Sequence, residues 1–141
     1  MNRPQAALAM SHLMPYIIQG AHLGSLKMKD ITQPQFLLLV KLHTNGTCSM
    51  NVLATHMQVK LPTMTGMVNR LVKAGCLKRV LKEEDRRQVW IALTPKGHTF
   101  LKHFQGILKK RWEDVLAILD EREVKQFYCI VDKLTKKLGG A

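Results

Sequence analysis

The stretch Asp85-Arg86-Arg87-Gln88-Val89-Trp90-Ile91-Ala92-Leu93-Thr94-Pro95-Lys96-Gly97 limits what this chain can fold into more than any other. Charges crowd its start, β-formers fill its middle, and Thr94-Pro95 reads as an N-cap followed by proline in the first helical turn. Upstream, Val80-Leu81-Lys82 is expected as the outgoing strand and Lys82 to Arg87 as the exposed tip, which together predict a hairpin feeding a helix. Asp85 stands two places before Arg87. Its carboxylate is expected to orient that guanidinium by a charge-assisted hydrogen bond, leaving the remaining donors for a phosphate or a groove.

The rest of the chain reads as helices. Gln5 to Leu26 carries Leu8, Leu13, Ile17, Ile18 and Leu23 without strand-like alternation, with Pro15 expected to kink the helix and Gly20 and Gly24 to weaken its later turns. Thr32 is an N-cap with Pro34 close behind, and Phe36 to Leu42 is apolar nearly all round, as in a buried central helix that Asn45-Gly46 ends. Ser49 caps a short helix through Met57. A further helix runs from about Leu61 to Ala74, closed by Gly75 as a left-handed cap. Two short helices joined by a tight turn predict a helix-turn-helix.

The helix after that turn divides into two faces. Leu61, Met64, Val68 and Leu71 have the spacing of a buried stripe, which leaves Pro62, Thr63, Thr65, Gly66, Asn69, Arg70 and Lys73 outward. Small and hydrogen-bonding side chains occupy its N-terminal half and cations its C-terminal half, which suits a helix whose first turns enter a major groove while its end meets the backbone. Such a face alone is usually just solvated. Its surroundings argue otherwise: Lys60, Arg70, Lys73, Lys78, Arg79, Lys82, Arg86 and Arg87 stand against only Glu83, Glu84 and Asp85. The whole chain, with 22 Lys+Arg against 10 Asp+Glu and a net charge of +12, calls for an anionic partner, nucleic acid or an acidic membrane.

Asp85-x-Arg87, five residues, then Leu93-Thr94-x-x-Gly97 resembles the wing signature of the multiple-antibiotic-resistance regulator (MarR) family of winged-helix transcription factors. The run from Val52 to Cys76, with Leu53-Ala54 near its start and Leu71 and Gly75 near its end, is similar to that family's helix-turn-helix. The fold implied is mainly α (α+β): one domain over 1–141, with a winged helix-turn-helix core at 32–97, a two-stranded wing, and long N- and C-terminal dimerisation helices at 1–28 and 98–141. The DNA-binding residues implied are Pro62, Thr63, Thr65, Gly66, Asn69, Arg70, Lys73, Asp85, Arg86 and Arg87. The chain departs from the family at Lys60, where relatives commonly place a capping serine, and at Gly66, where many place an arginine.

Beyond Gly97 a long apolar stripe runs from Phe100 through Trp112 to Leu119, and Asp120-Glu121-Arg122-Glu123 resembles a capping box opening one more helix. On that helix Val124, Phe127, Val131, Leu134 and Leu138 recur at heptad-like spacing. The resemblance implies that these residues, with Trp112, build a homodimer that mirrors a palindromic site. It also implies a small, often aromatic, effector between the dimer helices and the winged domain, with Met10, Met14, Phe36 and Phe104 as candidate lining residues.

Other functions find little support. No apolar run reaches the roughly 20 residues that span a bilayer, and no signal-peptide pattern opens the chain, so a cytoplasmic protein without membrane attachment is expected. Cys48, Cys76 and Cys129 lack CxxC spacing, and none falls early in the first helix, where the family's hydroperoxide sensors carry theirs. Lys78 and Arg79 near Cys76 are the only hint of an activated thiol. His98 and His103 are five apart, the wrong spacing for two ligands on one helical face, so no metal and no cofactor is expected. No GxSxG, phosphate-binding glycine loop or Cys-His pair suggests an enzyme. The expected function is a sequence-specific regulator of double-stranded DNA, most simply a ligand-released homodimeric repressor. The rivals are a non-specific architectural nucleic-acid-binding protein and a basic protein-interaction module.

Overall fold

A computed structural model describes residues 1–21 and 31–139. Its elements run α1 (Arg3–Ala21), α2 (Gln33–Asn45), β1 (Cys48–Ser49), α3 (Met50–Met57), α4 (Leu61–Lys73), β2 (Leu77–Val80), β3 (Trp90–Leu93), α5 (Pro95–Leu116) and α6 (Glu121–Lys137). The expected extension of the first helix to Leu26, with Leu23 and Gly24, lies outside the described residues.

The helix starts follow from their caps. Thr32 and Gln35 form a reciprocal capping box, Ser49 Oγ accepts the N–H of Val52 at 3.2 Å, and Asp120 and Glu123 close a second box at 2.8 and 3.0 Å. Lys60, at the start of α4, makes no side-chain cap bond, since an ammonium group has no acceptor to offer the first N–H groups. The far end of α4 is better closed. Gly75, at φ +81°, donates to Val72 O and the next N–H, from Cys76, returns to Leu71 O, both at 2.9 Å, the Schellman arrangement that satisfies the last carbonyls. Between α3 and α4 the turn passes through Gln58 in the left-handed region at φ 54°.

The sheet differs from expectation in two ways. The two-stranded wing is present as β2 and β3, but a third, two-residue strand joins it in the antiparallel order β1-β3-β2, because Cys48 pairs with Ile91 and Ser49 with Trp90. The outgoing strand is Leu77–Val80 rather than Val80-Leu81-Lys82, in the register Leu77↔Leu93 to Val80↔Trp90. Lys78 and Arg79 hide this strand from an apolar pattern, while Leu81, 89% exposed, belongs to the tip.

One core lies beneath these elements. Leu38, Leu39 and Leu42 of α2, Leu53 of α3, Met64, Val68 and Leu71 of α4, and Leu77, Ile91 and Leu101 pack into a continuous cluster. Two expectations need correction. Leu61 is not part of the buried stripe: it is 45% exposed, since it is the first residue of α4 and lines the cleft beside the wing. Nor is α2 buried all round, because Leu37 faces outward while Gln35, Leu38, Leu39 and Leu42 face the core.

Helices α1 and α6 stand apart from this core. Arg111 Nε of α5 donates to Gly20 O of α1 at 2.6 Å, yet Leu8, Leu13, Tyr16, Ile17 and Ile18 of α1 are exposed. Helix α6 buries none of its residues and leans on α5 through Trp112 and Phe127, whose ring centroids are 6.2 Å apart.

Candidate nucleic-acid interface

Helix α4 is held from behind and bare in front. Met64, Val68 and Leu71 fix it to the core, and Pro62, Thr63, Gly66, Asn69, Arg70 and Lys73 are all exposed, as the two-faced reading requires. Thr65 is half-buried, and its hydroxyl donates to Leu61 O at 2.9 Å, so its proton is already committed within the helix. At Gly66 an added Cβ would meet nothing within 4 Å. The fold therefore does not require glycine there.

The base of the wing explains the Leu-Thr-x-x-Gly part of its signature. Thr94 Oγ1 accepts the N–H of Gly97 at 3.0 Å and donates to Gly75 O at 2.5 Å, while the Thr94 N–H donates to Cys76 O at 3.1 Å. One residue thus caps α5 and ties it to the end of α4. Gly97 is packed so tightly that a Cβ would collide with the Cys76 carbonyl.

At the tip the expected Asp85–Arg87 guanidinium pair is not formed. Asp85 Oδ1 instead accepts the backbone N–H of Arg87 at 3.1 Å, an Asx-type turn that shapes the chain rather than the side chain. The path of the turn brings that amide, rather than the guanidinium, to the carboxylate. Trp90 completes the tip: its Nε1 donates to Asp85 O at 3.4 Å, and Lys82 Nζ lies 3.8 Å over its ring. Arg86 and Arg87 remain exposed.

Wing and helix enclose a cleft lined by Leu61 and Thr65 of α4, Met50 and Asn51 of α3, and Arg79, Arg87, Gln88 and Val89. Arg79 was not among the expected site residues. Its guanidinium donates to Asn69 Oδ1, joining β2 to α4 across ten positions of sequence. Only its place in a charged run could have drawn attention to it, since nothing local links it to Asn69.

The remaining candidates fall elsewhere. Trp112, Val124 and Phe127 are half-buried beside an apolar cleft between α5 and α6, whereas Val131, Leu134 and Leu138 are exposed. Phe36 and Phe104 meet at 5.5 Å between centroids, with Phe100 another 5.0 Å from Phe104. Met10 and Met14 are exposed on α1. His98 faces His43, at 5.7 Å, rather than His103, and among the described residues no group of three or more potential ligands is placed to hold a metal. Cys48 and Cys76 are buried, and burial raises both thiols above their usual pKa. The cation that partly offsets this at Cys76 is Lys96, not Lys78 or Arg79, and it does not prevail, so the hint of an activated thiol fails there. Cys129 is exposed on α6.

This arrangement has known counterparts. The model of the MarR family matches residues 31–89. Over 131 residues the chain is 32% identical to the HTH-type transcriptional regulator YfiV of Bacillus subtilis, covering 89% of this chain and 80% of that one. The chain belongs to the MarR family. A second relative, the HTH-type transcriptional repressor MdtR of Bacillus subtilis, is 28% identical over 84% of this chain and 77% of its own. The structure of a MarR family protein from Bacillus stearothermophilus superposes with a TM-score of 0.80 at 25% identity, covering 98% of each chain. The family is one of DNA-binding transcriptional regulators, not enzymes, and among the described residues no helix is long and apolar enough to cross a membrane.

Proposed function

We propose that this MarR-family regulator acts as a homodimeric repressor, occupying a palindromic operator until a small ligand releases it. The observation that carries this reading is the bare outward face of α4 set beside a cleft flanked by Arg79 and Arg87. A helix so exposed at Pro62, Thr63, Gly66, Asn69, Arg70 and Lys73 can lie in a major groove, while Arg86 and Arg87 reach the adjacent backbone or minor groove.

Dimerisation is supported by unpartnered apolar surface. Leu8, Leu13, Tyr16, Ile17 and Ile18 on α1 and Ile130, Val131, Leu134 and Leu138 on α6 lie open, and Val131 also lines the cleft between α5 and α6. Exposed apolar side chains on both helices favour association, and a two-fold pair would let two α4 helices enter successive major grooves, which are about one turn of DNA, roughly 34 Å, apart. The printed name of MdtR, a repressor, favours repression. The aromatic cluster of Phe36 on α2 with Phe100 and Phe104 on α5 favours an aromatic effector, and the exposed Met10 and Met14 of α1 are the further lining candidates.

Footprinting on genomic fragments tests the reading. Discrete, two-fold-symmetric protection is expected. Affinity should fall by roughly 10³-fold or more between 50 and 200 mM salt if about six or more phosphates are contacted. Uniform coverage would point to an architectural protein, and no binding to a protein-interaction module.

A further inference from the structure

Asn69 extends from α4 to β2, where its side-chain oxygen accepts a hydrogen bond from Arg79 Nη2. A guanidinium can only donate, so chemistry settles which way the amide faces: Oδ1 towards Arg79 and the two N–H donors of Nδ2 away from it. The two ion pairs among the described residues, Lys109–Glu113 and Lys136–Asp132, both lie on the terminal helices and leave this contact undisturbed.

An unconstrained asparagine in a major groove pairs bidentately with adenine, its oxygen accepting from N6 and its nitrogen donating to N7. Here a charged donor holds the oxygen, and charge-assisted bonds are about twice as strong as neutral ones. What remains is an amide that offers donors. Guanine presents two acceptors side by side in the major groove, N7 and O6, and no donor. Of the neighbours one turn earlier on α4, the Thr65 hydroxyl proton is committed to Leu61 O and Gly66 has no side chain, which also allows the helix to approach closely.

We propose that Arg79 is a positioning residue for sequence specificity: by holding Oδ1 of Asn69 it makes that side chain a donor-only reader that prefers guanine to adenine. The proposal rests on the operator-binding function above and narrows it to one base pair per half-site.

The test is a selection from randomised duplexes with the full-length wild type, Asn69→Ala, Arg79→Met and Arg79→Lys. It is paired with binding of the wild type to its selected site carrying 7-deazaguanine at the position that Asn69→Ala identifies. The expected wild-type preference there is guanine, with about a tenfold loss on removing N7. Arg79→Met frees the amide and should move the preference at that base pair towards adenine by about tenfold relative to the wild type, over and above a uniform loss from the missing charge. Arg79→Lys, which still supplies a donor, should keep guanine at lower affinity. An unchanged preference in Arg79→Met, with affinity lowered equally for all sequences, would reduce Arg79 to a phosphate contact and overturn the proposal. So would wild-type indifference to 7-deazaguanine, which needs no variant to fold. If the wild type itself enriches no sequence, the operator-binding function falls, and this proposal with it.

Discussion

Asp85 holds Arg87 by its backbone, not by its guanidinium: the carboxylate oxygen accepts the Arg87 N–H at 3.1 Å. An amide oxygen can still accept that bond, though without the help of a charge, whereas a methyl group cannot. Asp85→Ala should therefore loosen the tip and weaken DNA binding by about three- to tenfold, in line with about 1 kcal/mol for one such bond. Asp85→Asn should match or exceed the wild type, because it keeps the turn and removes a negative charge that repels phosphate. Titrations of both variants at fixed salt check this, and equal weakening by the two would restore a role for the charge.

Gly97 is where the wing signature meets the core. Any side chain there collides with the Cys76 carbonyl, which cannot yield without moving backbone, and Leu93 Cδ2 lies only 3.2 Å from the same point. Gly97→Ala should lower unfolding stability by about 3 kcal/mol, the upper range for overpacking a tight site. Urea denaturation measures it, and a change under about 0.5 kcal/mol would contradict this packing.

Leu134 is 56% exposed on α6 in the single chain. If this surface closes a dimer, Leu134→Glu puts an unpaired charge into the interface and should yield monomers or insoluble protein. Sedimentation should show the wild type as a dimer. A wild-type monomer at all concentrations would remove the dimer from the account.

Gly66 lies on the outward face of α4 with open space around it. Gly66→Ala should raise stability by roughly 0.5 to 1 kcal/mol, since alanine restricts the unfolded chain more and fits here without strain. The same variant should lower affinity for the natural operator if the glycine serves close approach to the bases. Gly66→Arg should change the preferred site, by about 1 to 3 kcal/mol at one base pair. Thermal melts and selected-site comparison read the two effects separately, and identical sites for all three proteins would mean that position 66 does not face the bases.

What the sequence determined by itself was whatever closes within a few residues. The caps at Thr32, Ser49, Thr94 and Asp120 each join a side chain to an N–H three positions on, and Met64, Val68 and Leu71 declare the buried face of α4 through helical spacing alone. Charge was equally legible, because it sums without regard to geometry. Tertiary structure decided the rest. The pairing of Cys48 with Ile91, the Thr94–Gly75 bond across 19 positions and the Asn69–Arg79 bond across 10 join elements whose distance depends on how α4 and the sheet pack, and no spacing rule encodes that. Even at short range the partner of Asp85 could not be read off, because backbone N–H and guanidinium compete for one carboxylate and only the path of the turn selects between them.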